Sequence, residues 1–89
     1  MLIALIARDK PGALQIRLDT RADHVAYLKS SNAVSQAGPL LDAAGEMCGS
    51  LVVLDVADMA EAEAWAAADP YAHAGLFASV ELIAWNKVI

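Results

Sequence analysis

The chain begins with an uninterrupted apolar run, MLIALIA, over residues 1–7. Such a short run is typical of a strand, and its lack of polar positions predicts that both faces of the strand are buried. A second apolar segment, Leu51 to Val56, has the same character. Both are far shorter than the roughly 20 residues that a membrane-spanning helix requires. We therefore expect a sheet with these two strands at its centre, and no membrane segment.

The remaining segments alternate between helix and strand. In chain order we predict a helix from Arg17 to about Ser31, a strand Val34–Leu40, a helix Met59–Ala68 and a strand Ser79–Val88. The apolar stripe of the first helix is predicted to contain Leu18, Ala22, Val25 and Leu28. Pro39 near the end of its strand is typical of an edge strand. Asp58 and Glu61 form a capping-box pattern before the second helix, which ends ahead of Pro70 because a residue preceding proline disfavours helix.

The predicted order of elements is β-α-β-β-α-β, in one α+β domain spanning residues 1–89. In a split β-α-β sheet the first and third strands lie side by side in the middle. We expect these two strands to be parallel within an otherwise antiparallel sheet. Two helices can cover only one face of a four-stranded sheet, and neither face of the last strand is simply polar. A second copy packed sheet to sheet would cover the other face, so a homodimer or higher homo-oligomer is expected.

Composition and charge exclude several classes of partner. The net charge of −5 argues against a nucleic-acid-binding surface, which needs clustered Lys and Arg. The single cysteine, Cys48, excludes an internal disulfide and fits a reducing, cytoplasmic location. Two His and one Cys, widely spaced, form no structural metal motif, and no glycine-rich phosphate-binding pattern is present. We therefore expect no metal, no cofactor and a small molecule as the partner.

Five segments together resemble the YciI-like (YCII-related) family of small dimeric proteins. They are DKPGALQIR, RADHVAYL, AGPLLDAAGEMCGSL, DPYAHAGLF and VELIAWNKVI, in this order. The resemblance implies a ferredoxin-like, dimeric α+β barrel. It also implies that a His on the first helix and an Asp at the end of the second form the catalytic pair, and these positions are His24 and Asp69 here. One branch of the family is associated with dehydrochlorination of a chlorinated hydroxyhydroquinone.

The residues around His24 are compatible with a catalytic role. Helical geometry places Arg17, Arg21, His24 and Leu28 on one side of the first helix, at the border of the apolar stripe. Burial and cationic neighbours both favour the neutral imidazole, which is the form that a general base requires. A nearby carboxylate would fix the tautomer and stabilise the imidazolium once it forms. The alternative is an idle surface histidine.

The segment ADPYAHAGLF, residues 68–77, contains the best candidate for that carboxylate, Asp69. A carboxylate at the C-terminus of a helix opposes the helix macrodipole, so Asp69 is better explained if a cation or an imidazole lies near it. The alternative is that Asp-Pro merely ends the helix and starts a turn. Tyr71 either lines the pocket or belongs to the core, and His73 is expected to be an exposed loop residue.

Three arginines and one serine are candidate substrate-binding residues. Arg17, Arg21 and Arg8 could hold an anionic group such as a carboxylate or phenolate, and Ser35 could donate a hydrogen bond. The alternative for the arginines is that they are solvated surface charges.

Two functions remain open from the sequence. The first is a cofactor-independent enzyme in which His24 and Asp69 move a proton on a small cyclic or aromatic anionic substrate, in an elimination or an isomerisation. The second is a non-catalytic ligand-binding or accessory protein that uses the same pocket.

Overall fold

A computed structural model describes residues 1–89. Its elements are β1 (Leu2–Asp9), α1 (Leu14–Ser30), β2 (Val34–Leu41), β3 (Met47–Asp55), α2 (Met59–Ala68), α3 (Pro70–His73) and β4 (Phe77–Trp85). The strands form one antiparallel sheet in the order β2-β3-β1-β4. This is the predicted ferredoxin-like arrangement, with the most apolar strands at the centre and the Pro39-containing strand at an edge.

The expectation that the two central strands are parallel is wrong. β1 and β3 pair antiparallel, with Ala4 opposite Val53. The connection through α1 makes β1 parallel to β2, but these two strands are not neighbours. The hairpin from β2 to β3 then reverses the chain, and β3 inserts between them in the opposite direction.

The core lies between the sheet and the helices. Alternate residues of β1 point toward the helices, and Ile3, Leu5 and Ala7 are buried there. Val52 and Leu54 of β3 and Ala62 and Trp65 of α2 complete this cluster together with Val56. Full burial of one such aliphatic side chain stabilises the fold by about 1.5–3 kcal/mol, so this layer holds the sheet and α2 together.

The opposite face of the sheet is uncovered in the single chain. Leu2, Ala4 and Ile6 of β1 are only half-buried. Leu51, Ile83 and Trp85 remain 40%, 43% and 41% exposed. The prediction that β1 is buried on both faces therefore holds for the helix side alone.

Helix α1 differs from its predicted course and orientation. It begins at Leu14, three residues before the predicted Arg17. Leu18 is 49% exposed and Ala22 is also exposed, so the first half of the predicted apolar stripe faces away from the core, whereas Val25 is half-buried and Leu28 packs against the core cluster. The residues that α1 buries are Arg17 and His24. Polar side chains thus occupy the inward face of this helix, and they have to be satisfied there by other protein groups.

Helix α2 begins as predicted. Asp58 Oδ1 accepts a hydrogen bond from the Glu61 backbone N–H at 2.9 Å, and Glu61 Oε2 accepts one from the Ala57 N–H at 2.8 Å. The first bond satisfies an N–H group that the first turn leaves free and confirms the cap by Asp58, while the second ties Glu61 to the residue before the cap. No helix of the chain combines the length and the hydropathy that crossing a membrane requires.

Candidate active site

Asp69 lies at the junction of two helices. It is the C-cap residue of α2 and also the N-cap residue of α3. In the second role its Oδ1 accepts a hydrogen bond from the backbone N–H of Tyr71 at 3.0 Å. Pro70 takes the first position of α3, which suits a residue without an N–H. The segment after Asp69 is therefore one helical turn, which was not predicted from the sequence. This turn fixes the direction of the Asp69 carboxylate.

His24 approaches that carboxylate from α1. Its Nδ1 lies 2.7 Å from Asp69 Oδ1, and the two side chains are only 8% and 2% exposed. An ionised carboxylate can only accept hydrogen bonds, so this contact assigns a proton to Nδ1, and in the neutral imidazole the lone pair is then on Nε2. Nε2 makes no hydrogen bond within the chain. Every fully enclosed side-chain nitrogen or oxygen of the chain has a hydrogen-bond partner, so Nε2 is not enclosed, and His24 lines the adjoining pocket. Nε2 is therefore open to the adjoining pocket.

The ring of Tyr71 stacks on His24. The two ring centroids are 3.8 Å apart and the planes are inclined by 15°. Burial raises the pKa of Tyr71, although the charges of Arg17 and Arg21 oppose this rise. Tyr71 is therefore a neutral phenol at physiological pH, and its aromatic face holds the imidazole from one side.

Arg17 contacts the same tyrosine ring and is itself fully enclosed. Its Cζ lies 4.6 Å from the Tyr71 centroid. Its Nε and Nη2 donate to Oδ2 and Oδ1 of Asp9 at 2.7 and 2.8 Å, and Nη2 also donates to Ser50 Oγ at 2.9 Å. Burial by itself lowers the pKa of Arg17, but the hydrogen bonds and the charge of Asp9 outweigh burial and raise it. The guanidinium is therefore permanently charged, and its three hydrogen bonds fix its position.

A pocket of about 220 Å³ lies between α1 and the β2–β3 half of the sheet. Its polar wall is formed by Arg17, Arg21, His24, Ser50 and Tyr71. The rest of the wall consists of Val25, Leu28, Ala37, Gly38, Pro39, Met47 and Val52. Arg21 is exposed and makes no hydrogen bond or ion pair within the chain. The pocket thus combines one open imidazole nitrogen, one unpaired cation and an apolar wall.

The structure brings together five of the seven residues singled out from the sequence. His24, Asp69, Tyr71, Arg17 and Arg21 surround the pocket or support it. Arg8 is exposed and lies on the face of the sheet away from the helices, and Ser35 is exposed on β2. Neither lines the pocket. His73 is exposed, as expected.

Two residues of the site were missed by sequence reasoning, Asp9 and Ser50. Both contact Arg17, from eight and 33 positions away along the chain. A carboxylate two positions after an apolar run was the one available signal for Asp9. No side-chain cluster of three or more His, Cys, Asp or Glu is arranged to hold a metal ion.

Curated relatives match nearly the whole chain. The YciI proteins of Escherichia coli O6:H1 and Shigella flexneri are each 34% identical to it, and the match covers 99% of both sequences. An uncharacterised protein of Haemophilus influenzae is also 34% identical over the same share.

Solved structures agree with this match. The 5-chloro-2-hydroxyhydroquinone dehydrochlorinase TftG of Burkholderia phenoliruptrix AC1100, in complex with 2,5-dihydroxybenzoquinone, is similar with a TM-score of 0.90 and 33% identity. The similarity covers 97% of this chain and 94% of TftG. An antibiotic biosynthesis monooxygenase shares the fold alone, with a TM-score of 0.59, 14% identity, and 98% and 100% of the two chains covered. The YCII-related domain family matches residues 1–86, and with the curated relatives this places the chain in that family.

Proposed function

We propose that this protein is a cofactor-independent enzyme that transfers a proton on a small cyclic or aromatic anionic substrate, with elimination (dehydrochlorination) or isomerisation as the reaction. The observation that carries the proposal is the pairing of His24 Nδ1 with Asp69 Oδ1 at 2.7 Å, which leaves Nε2 open to a pocket. The 33% identical TftG, a dehydrochlorinase bound to a dihydroxybenzoquinone, supports the substrate class and the reaction type.

In the proposed reaction, Nε2 of His24 is the general base. It takes a proton from the substrate, and the electron pair of the broken bond to hydrogen moves into the ring system. In an elimination the carbon–chlorine bond then breaks and its electron pair leaves with chloride, whereas in an isomerisation the proton returns at another carbon. Asp69 keeps the imidazole oriented and stabilises the imidazolium that forms. General base catalysis of this kind contributes about 10²–10⁴ in rate.

Arg21 is the proposed anion-binding residue. Its guanidinium has no partner within the chain and lines the same pocket as His24. Arg17 was also expected to bind the substrate anion. We assign this role to Arg21 because Asp9 and Ser50 already accept hydrogen bonds from Nε and Nη2 of Arg17. A volume of about 220 Å³ is below the range of drug-sized sites and suits a small ring.

A turnover screen against chlorinated and hydroxylated aromatic compounds tests the proposal. Chloride release and the ultraviolet spectrum of the ring should change with wild-type protein and remain unchanged with His24→Ala. The alternative function, a non-catalytic ligand-binding or accessory protein, predicts binding without turnover. Ligand binding with no product from any compound that binds would favour this alternative.

We also propose that the chain acts as a homodimer, as one domain of residues 1–89, in the cytoplasm. Support for the dimer comes from the uncovered sheet face, where Leu51, Ile83 and Trp85 are each about 40% exposed. A second copy packed on this face would remove these side chains from water. The single, unpaired Cys48 supports a reducing compartment.

A further inference from the structure

Two planar side chains of α1, those of His24 and Arg17, pack against the Tyr71 ring beside the pocket. His24 stacks on Tyr71 at 3.8 Å, and Arg17 Cζ lies 4.6 Å from the same tyrosine ring. His24 and Arg17 are seven positions apart on α1, which corresponds to about 10.5 Å along a helix axis. One tyrosine ring thus contacts two side chains that start two helical turns apart.

Each of these two α1 side chains is bound by a carboxylate. Asp69 binds His24, and Asp9 binds Arg17 through two parallel hydrogen bonds of 2.7 and 2.8 Å. Ser50 on β3 adds a third bond to the Arg17 guanidinium. A forked, charge-assisted pair of this type fixes the plane of the guanidinium as well as its position. The tyrosine ring is contacted by both of these anchored side chains.

We propose that Asp9 and Arg17 are positioning residues for His24. Asp9 holds the Arg17 guanidinium against the Tyr71 ring, and this ring in turn holds the imidazole in the plane in which Nε2 is open to the pocket. Stacking and cation–π attraction to the ring supply the contact between the three groups. The single hydrogen bond to Asp69 anchors Nδ1 but leaves rotation about that bond free, and the stack removes this freedom.

The proposal rests on the proposed role of His24, but its main readout does not require turnover. Protons that lie over an aromatic ring are shifted upfield in NMR spectra. The ring protons of His24 should therefore resonate upfield of those of His73, which is exposed and is the only other histidine. The His24→Gln spectrum assigns the signals.

The Asp9→Asn variant should lose more than half of this upfield displacement at matched pH. Asp19→Asn is the matched control, because Asp19 accepts a hydrogen bond from Gln15 on the exposed side of the same helix. Its His24 signals should remain where they are in the wild type. Because Asp9→Asn leaves a buried guanidinium without its partner, the double variant Asp9→Asn/Arg17→Met, which removes both charges, serves as the second test.

A substrate found in the screen provides an independent readout. Asp9→Asn and the double variant should lower kcat by about 10- to 100-fold with little change in KM, since a misplaced base slows the proton transfer without weakening ligand binding. Wild-type His24 signals that coincide with those of His73 would overturn the proposal. Unmoved His24 signals in either folded variant would also overturn it. A double variant that does not fold would overturn it as well, since Asp9 and Arg17 would then serve the stability of the fold alone.

Discussion

His24 and Asp69 are separated by 45 positions in the chain, yet one hydrogen bond of 2.7 Å joins their side chains. The same Asp69 oxygen accepts the backbone N–H of Tyr71 at 3.0 Å. Local helix capping and the long-range contact with His24 therefore depend on one atom. Because the cap orients the carboxylate before any substrate arrives, the pair needs no rearrangement to act.

The first prediction concerns this pair. His24→Ala should lower kcat by about 10²–10⁴, because it removes the proposed base. Asp69→Asn keeps an oxygen for the Tyr71 N–H but can stabilise the wrong imidazole tautomer, so its loss should be comparable. The double variant should lose little more than either single variant. Steady-state kinetics on a substrate from the screen measure this, with His73→Ala as the control. Losses that simply add, or an unchanged kcat in His24→Ala, would show that the pair is not the catalyst.

The second prediction concerns Arg21. Arg21→Gln should raise KM for an anionic substrate about tenfold and leave kcat nearly unchanged, because a charge-assisted hydrogen bond is lost equally from the bound substrate and the transition state. Lys29→Gln, an exposed cation in the last turn of the same helix, is the control for net charge. Equal KM values for the two variants would remove Arg21 from the binding site.

The third prediction concerns alkaline pH. Burial raises the pKa of Tyr71 and of Tyr27, and the charge of Asp69 adds to the rise at Tyr27. The folded protein therefore keeps these protons at a pH where the unfolded chain releases them. This contribution to stability is fully present below the ordinary tyrosine value of about 10 and is lost as the pH rises above it.

Two measurements check this pH dependence. The chain contains only these two tyrosines, so its tyrosinate absorbance should rise above about pH 10 in the folded state. Urea unfolding between about pH 8 and about pH 11 should show a falling free energy of unfolding. Tyr27→Phe should reduce the steepness of this fall, although it also loses the hydrogen bond from the Tyr27 hydroxyl to the Trp65 carbonyl. A free energy that stays level across this range would contradict the prediction.

The fourth prediction concerns Gly49 in β3. A Cβ added there would collide with the carbonyl oxygen of Ala7 on the neighbouring central strand, and neither backbone can move without disturbing the sheet. Gly49→Ala should lower the free energy of unfolding by about 1–3 kcal/mol, as overpacking does. Gly38→Ala on the adjacent strand is the matched control, because nothing lies within 4 Å of its added Cβ. Urea midpoints compare the two, and similar midpoints would contradict the prediction.

The fifth prediction concerns assembly. Light scattering at micromolar concentration should give about twice the 9.3 kDa mass of one chain. Ile83→Asp should shift this mass toward the monomer, because a charge on the uncovered sheet face opposes its burial against a second copy. Asp19→Asn, on exposed helix surface, should leave the mass unchanged. A wild-type monomer near 9.3 kDa would end the dimer proposal.

The order of elements could be predicted from the sequence because local signals were strong. The apolar runs indicated the two central strands, and the Asp58–Glu61 spacing indicated the start of α2. The start of α1 was predicted too late because Ala13, its cap residue, offers no side-chain acceptor. The start of β3 was placed at Leu51, since Gly49 and Ser50 resemble turn residues more than strand residues.

The inward face of α1 could not be predicted from hydrophobic periodicity. That method assigns Leu18 to the core, whereas the structure buries Arg17 and His24 and leaves Leu18 half exposed. Each buried polar group has a partner on another element, and no spacing rule in the chain connects Arg17 with Asp9 or Ser50. Functional sites are where local patterns and tertiary structure are expected to disagree.

The antiparallel pairing of β4 with β1, with Trp85 opposite Leu2, gives the fold an internal symmetry. A circular permutant that joins the two ends of the chain and opens the exposed turn between β2 and β3 would have the element order β-α-β-β-α-β again. Its sheet order would also match that of the parent. The chain thus consists of two interlocked βαβ halves. His24 belongs to the helix of one half and Asp69 to the helical layer of the other, so neither half by itself contains the complete pair.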